Sequence, residues 1–379
     1  MTRNSAVLLA IACALSARVT AHHSALIFDR DLVVAFQGTV TRFNWTNPHV
    51  YIYVETRADT GELVEWEIET DATPILIRSG WAADSLVSGD IVSVRANPDR
   101  SSARRHALLV SVAKDDGAVL AARSNFLRRA DATDSTAAAS SLSGFWELGF
   151  ADYTRFAASW PLVPSTTKGA ASQAGYDIKS DSPEAQCVAL PSPGLLAAPY
   201  LNEIEIHADS VVFRNERFNV ERIVYMDGRG HPENGERSNQ GHSIGWWEDG
   251  TLVVDTTLFT THRSQFLGSG LPSGPDKHVV ERYALSDDGS RIVIEFRLDD
   301  PEYLAEPFTG TLSWYYAPHF DMLGFACDPE VSSRYSIAAI PLPALKHVVD
   351  RNDDYVLRRN AQRERRNIDV FVRNFFRFG

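Results

Sequence analysis

Gly241-His242-Ser243-Ile244-Gly245-Trp246-Trp247-Glu248-Asp249-Gly250-Thr251-Leu252-Val253-Val254-Asp255-Thr256-Thr257 decides the fold. Polar and apolar residues alternate on both sides of Glu248-Asp249-Gly250, which reads as two half-buried strands joined by a tight turn. Similar segments surround it: Ile204–Phe213, Val220–Met226, Val279–Leu285, Arg291–Leu298 and Thr309–Tyr316. With the opening Ser143-Gly144-Phe145-Trp146, they predict one antiparallel β-barrel, an arrangement that leaves no strand edge exposed. The barrel is expected over residues 143–342, with long loops at 227–240 and 260–277 at its mouth. The stretch from Pro183 to Pro199 carries four prolines and predicts a rigid, irregular surface layer.

Upstream, Leu32–Phe43, His49–Thr56, Val64–Glu69, Ile91–Ala96 and His106–Ala113 read as five short strands. Thr73–Gly80 reads as a helix with Pro74 in its first turn. Five strands and one helix in residues 22–116 predict a small OB-like barrel. Residues 117–142 are rich in Ala, Ser, Thr and Asp and read as a linker, with Leu120–Arg128 as a helical turn or two. Residues 343–379 form a basic, aromatic, partly helical tail. The fold class is therefore mainly β: an OB-like barrel, a larger lipocalin-like barrel and this tail.

Arg3, the apolar run Ala6–Leu15 and Val19-Thr20-Ala21 have the layout of a secretory signal peptide over residues 1–21. Cleavage would make His22 the first residue and place the protein in the periplasm or outside the cell. The net charge of −12 disfavours nucleic-acid binding, which requires positive charge to displace counterions. Cys187 and Cys327 are the cysteines left after cleavage. An oxidising compartment permits a bridge between them, and two buried thiols are the alternative. In residues 366–379, Phe371, Phe375, Phe376 and Phe378 interleave with arginines, a pattern for contact with another subunit or a membrane surface.

Three groups of residues have the composition of a site. His22 and His23, with His49, offer amine and imidazole nitrogens suited to copper at a mature N-terminus. His242 and Asp255 fall on the paired strands, so the carboxylate can orient the imidazole as a base. His231, Arg229 and Glu281 are the further candidates beside them, Arg229 to bind a carboxylate or steady an anionic intermediate. Trp246, Tyr225, Trp314, Tyr303 and Phe296 are candidates to line a cavity for a hydrophobic or aromatic small molecule. No phosphate-binding glycine loop, thiol–histidine motif or serine nucleophile elbow is present, so no organic cofactor is expected.

The start Ala21-His22-His23-Ser24, with Phe36-Gln37-Gly38-Thr39-Val40 and Trp45-Thr46-Asn47-Pro48-His49, resembles an uncharacterised family of exported bacterial proteins. The run from Gly241 to Thr256, Asp227-Gly228-Arg229 and Asp299-Asp300-Pro301-Glu302-Tyr303 are similar to elements of related bacterial proteins. Gly144-Phe145-Trp146 resembles the opening of lipocalin-like barrels. The resemblance implies no activity. The residues themselves lead to an exported, cofactor-independent acid–base enzyme of isomerase, cyclase or lyase type. The alternatives are a periplasmic small-molecule or copper-binding protein and an envelope scaffold.

Overall fold

The computed structural model describes residues 28–58, 60–101, 104–122, 137–176, 181–263 and 269–334. The predicted signal segment, His22, His23, much of the linker and the tail 343–379 lie outside them. The described chain is mainly β and forms two barrels.

In the smaller barrel, β1 (Val34–Asn44), β2 (Tyr51–Arg57) and β3 (Leu63–Glu69) form a meander. Helix α1 (Thr73–Arg78) leads to β4 (Ile91–Pro98) and β5 (His106–Lys114), and β6 (Val119–Ala121) adds to the edge. β1 pairs with both β2 and β4, and a parallel β3–β5 pairing closes the wall. This is the OB connection. Strand β4 illustrates why these residues make a wall. Val92, Val94 and Ala96 are buried while Ile91, Ser93 and Arg95 are exposed, the period of two that strands require. Leu120 and Ala121, at the start of the stretch expected to be helical, belong to β6; residues 123–128 of that stretch lie outside the described residues.

The larger barrel has nine strands in the closed order β10-β11-β12-β13-β14-β15-β7-β8-β9. They are β7 (Gly144–Leu148), β8 (Leu201–Ile206), β9 (Ser210–Asn215), β10 (Val220–Tyr225), β11 (His242–Glu248), β12 (Thr251–Thr257), β13 (His278–Leu285), β14 (Arg291–Asp299) and β15 (Phe308–Tyr316). Helices α2 (Phe150–Ser159) and α3 (Thr167–Ala174) fall between β7 and β8, and α4 (Pro329–Arg334) follows the barrel. The expected single segment Ile204–Phe213 is two strands, turned at 207–209 where His207 N–H donates to the Ser210 carbonyl at 2.8 Å. The β11–β12 turn is as read: Glu248 pairs with Thr251, and Asp249 and Gly250 both adopt positive φ, as a two-residue hairpin turn demands.

One pairing departs from the antiparallel expectation. β10 and β11 run parallel, Val224 opposite Ser243 and Tyr225 opposite Ile244. The loop 226–241 carries the chain back along the barrel so that β11 starts in the direction of β10. That loop delivers the candidate site.

The interior is filled by Trp146, Ile204, Phe213, Val254, Tyr283, Ile294, Phe296 and Trp314 among others. The proline-rich stretch 183–199 is not a surface layer. Ala189, Leu190, Leu196 and Ala197 are buried, and the Leu196 carbonyl accepts from Trp314 Nε1 at 3.0 Å. The segment plugs one end of the barrel. Cys187, within it, is bonded to Cys327 with the Cα atoms 5.9 Å apart.

The two barrels meet through Ala72, Ala198, Tyr200 and Phe325. Arg78 of α1 is paired with the buried Glu216 and donates to the Asp321 carbonyl at 3.0 Å. Asn47 Oδ1 accepts from Thr73 N–H at 2.9 Å and so satisfies a free donor at the start of α1. The Asn47 carbonyl accepts from Asp328 N–H, also at 2.9 Å.

Candidate functional site

On β12, Leu252 and Val254 belong to the core and the buried Thr256 bonds Ser243 at 2.9 Å. The intervening Asp255 therefore stands on the outer face. The same alternation on β11 turns Ser243 inward and His242 outward, and on β13 turns Val279 and Glu281 inward and His278 outward. The loop after β10 folds His231 over this face.

These residues make an unbroken chain of contacts. His242 Nδ1 lies 2.8 Å from His231 Nδ1. His231 Nε2 lies 3.0 Å from Asp255 Oδ1, and His278 Nε2 reaches the same oxygen at 2.8 Å. An ionised carboxylate only accepts, so both imidazoles donate to Asp255. A neutral His231 that donates through Nε2 has a bare Nδ1, and His242 must donate to it through its own Nδ1–H. The lone pair of His242 is then left on Nε2.

The electrostatics agree with that arrangement. Burial, then the neighbouring His231 and Arg229, lowers the His242 pKa below its ordinary value, so the ring is neutral near pH 7. Burial opposes ionisation of Asp255, but the His278 and His231 hydrogen bonds hold its carboxyl below the usual range. The Asp255 hydrogen bond raises His278. His242 stacks on Tyr225 at 5.2 Å between ring centroids. Arg229 lies 4.1 Å from the Tyr225 ring centroid and is held by Asp227.

The expected direct pair of His242 and Asp255 is thus mediated by His231. His278 was not among the candidates. Its position on the outward face follows from alternation, but its place beside Asp255 depends on strand register, which the local pattern does not state.

Glu281 is a correction. It points into the barrel, fully buried, away from His242. Its carboxylate is held by Arg222, by the Ser192 hydroxyl and by Tyr283 Oη at 3.1 Å. Arg222, which alternation places inward on β10, was missed. Nearby, burial pulls the Lys277 ammonium down to about 7, and its Nζ sits 4.4 Å from the Phe259 ring centroid.

The five candidate aromatics do not share one cavity. Tyr225 and Trp246 are on the outer face, where Trp246 is 40% exposed. Trp314, Phe296 and Tyr303 are core residues on the other side of the wall. Trp314 borders an interior hollow of about 20 Å³, with Ser192, Asn202, Asn215 and Arg222. Such a space fits about one water and is far below a small-molecule site of roughly 300 Å³ or more. The side chains that were to line a cavity fill it instead.

His49 is buried in the smaller barrel, with Nδ1 3.0 Å from the Thr70 carbonyl and 3.2 Å from Glu69 Oε1. Its expected copper partners His22 and His23 lie outside the described residues. Among the described residues no three His, Cys, Asp or Glu side chains are grouped to hold a metal, and no helix is long and apolar enough to cross a membrane. No curated protein matches the chain. Residues 10–108, which run through the smaller barrel to the start of β5, match the model of a family of unknown function, DUF6152.

Proposed function

We propose that the protein is an exported acid–base enzyme, independent of any organic cofactor, that acts on a hydrophobic or aromatic small molecule. The substrate lies against the outer wall of the larger barrel, beside His242. The observation that carries this reading is the chain His242–His231–Asp255–His278. It leaves one imidazole lone pair directed away from its partners and backed by a carboxylate two links away.

When His242 Nε2 takes a proton from substrate, the new positive charge is stabilised through His231 by Asp255. Asp255 and His231 act as positioning residues. The outward residues Tyr225, Ile244 and Trp246 supply an apolar, aromatic surface along the same face. Isomerisation, cyclisation and elimination all run on such a base.

The test uses 5-nitrobenzisoxazole, an aromatic molecule that reports on activated bases. The base removes the C3 proton, the C–H electron pair forms the nitrile, and the N–O bond breaks to release a phenolate. The protein is expected to exceed an equal concentration of free imidazole, and His242→Gln to lose about 10²-fold or more. The rate should fall as pH drops through a midpoint below 6.5, because the neutral ring is the active form and its pKa is lowered. Asp255→Asn should move that midpoint further down, since it removes the charge that favours the imidazolium. Equal rates for His242→Gln and the unaltered protein would remove the basis of the proposal.

A further inference from the structure

On β11, β12 and β13, three outward residues stand in one row. His242 pairs with Thr257, and because Thr256 pairs with Val279, the next position sets Thr257 beside His278. Neighbouring strands lie about 4.8 Å apart, so the main chains of His242 and His278 are about 10 Å apart across the wall. Asp255 is the next outward residue along β12 from Thr257, and the His231 ring bridges it to His242. The four side chains form a rim around Thr257, with His242 and His278 at its two ends.

The ends are not equivalent. Asp255 Oδ1 accepts from His231 Nε2 at 3.0 Å and from His278 Nε2 at 2.8 Å. His242 meets the carboxylate only through His231 and keeps a bare Nε2. His278 meets it directly, and its side chain is 39% exposed. A carboxylate in direct contact favours the imidazolium. From β14, Asp299 pairs with His278 and acts in the same sense, while Arg297, bound to Asp299 at 2.7 Å, opposes it. The Asp255 hydrogen bond raises the His278 pKa above 6.5, whereas burial lowers that of His242 below it. An imidazolium that donates through Nε2 carries a second N–H at Nδ1. Among the described residues that nitrogen has no hydrogen-bond partner. Two titratable groups whose surroundings drive them apart in this way make an acid and a base.

We propose that His278 is the general acid that complements His242 and delivers its Nδ1 proton to an oxygen of the substrate. This rests on His242 as the base. His242 Nε2 takes a proton from carbon, and the C–H electron pair forms the new π bond. The bond to the leaving oxygen breaks, and that oxygen takes the proton of His278. His242 ends with one proton more and His278 with one fewer, and both exchange with water. The substrate class narrows to a molecule of one or two rings, sized to the span over Thr257, whose departing oxygen is too basic to leave as a bare anion.

The experiment compares 5-nitrobenzisoxazole with unsubstituted benzisoxazole on the full-length protein. The nitro group stabilises the departing phenolate, so the unsubstituted compound gains more from an acid. His278→Gln keeps an N–H for Asp255 but cannot titrate. It should slow benzisoxazole by about 10²-fold and 5-nitrobenzisoxazole by much less. With benzisoxazole the rate should fall at low pH as His242 gains a proton and at high pH, above 6.5, as His278 loses one. His278→Gln should lose the upper limb alone. A substrate-free check is proton–nitrogen NMR at pH 6.5, where His278 should be more than half imidazolium and His242 less than half. Equal losses on the two compounds, an upper limb that survives in His278→Gln, or a neutral His278 in the spectrum would overturn the acid and leave His242 as the base. Insensitivity of both compounds to His242→Gln would instead remove the base, and the acid with it.

Discussion

Glu281 shows what a single residue reveals once its direction is known. In the sequence it is an acid three residues after His278, yet in the fold it is a buried partner of Arg222. Burial opposes the charge on Arg222, but Glu281 and Tyr283 keep its pKa above the ordinary value. Such a pair costs about as much to desolvate as it returns, whereas breaking it leaves one bare charge inside. Glu281→Gln is therefore expected to destabilise the protein by about 3–5 kcal/mol, and Arg222→Met/Glu281→Leu to recover much of the loss. Urea unfolding midpoints check both. A Glu281→Gln protein with unchanged stability but no proton-transfer activity would return this residue to the catalytic group.

The same comparison explains which site residues were legible. His242 and Asp255 could be paired because a two-residue turn sets their register locally. Glu281 and His278 lie one strand further on, where nothing local fixes the register, and a shift of one residue exchanges the two faces. His231 lies in a loop without period, so its approach to His242 is a tertiary fact. Trp314, Phe296 and Tyr303 carry no mark that separates a cavity wall from a filled core.

At the scale of elements, β14 and β15 show how the interior is closed. Phe296 packs edge-on against Phe156 and Phe308, at 5.7 and 5.3 Å between centroids. Gly310 lies opposite Phe296, and a Cβ there would fall 2.6 Å from the ring. The ring occupies the place of a side chain on β15. Gly310→Ala must push Phe296 out of position and is expected to cost about 1–3 kcal/mol by overpacking. The loss should appear in the thermal midpoint without loss of the 5-nitrobenzisoxazole activity, since the outer face is untouched. An unchanged midpoint would mean that the ring has room to move. The strand-rich stretches were legible because alternation is strong on β4 and β14. The plug 183–199 was not, because prolines mark irregular backbone but do not say whether it is covered.

For the whole molecule, the motif Thr46-Asn47-Pro48-His49 ties the two barrels together. Asn47 satisfies the start of α1 with its side chain and Asp328 with its carbonyl, one residue from Cys327. The disulfide then fastens that strip to the barrel plug. Residues 10–108 match a family of unknown function, and its matched region contains both this joint and His49. The larger barrel carries the His242–His231–Asp255–His278 chain on its outer wall and keeps its interior for packing.

The most direct test of that claim is the tautomer of His242, read from long-range proton–nitrogen NMR at pH 7.5. A neutral ring with its proton on Nδ1, donated to His231, and a bare Nε2 is the expected result. A ring protonated on Nε2 with Nδ1 bare would place the lone pair inside the relay and contradict the assignment of His242 as the base.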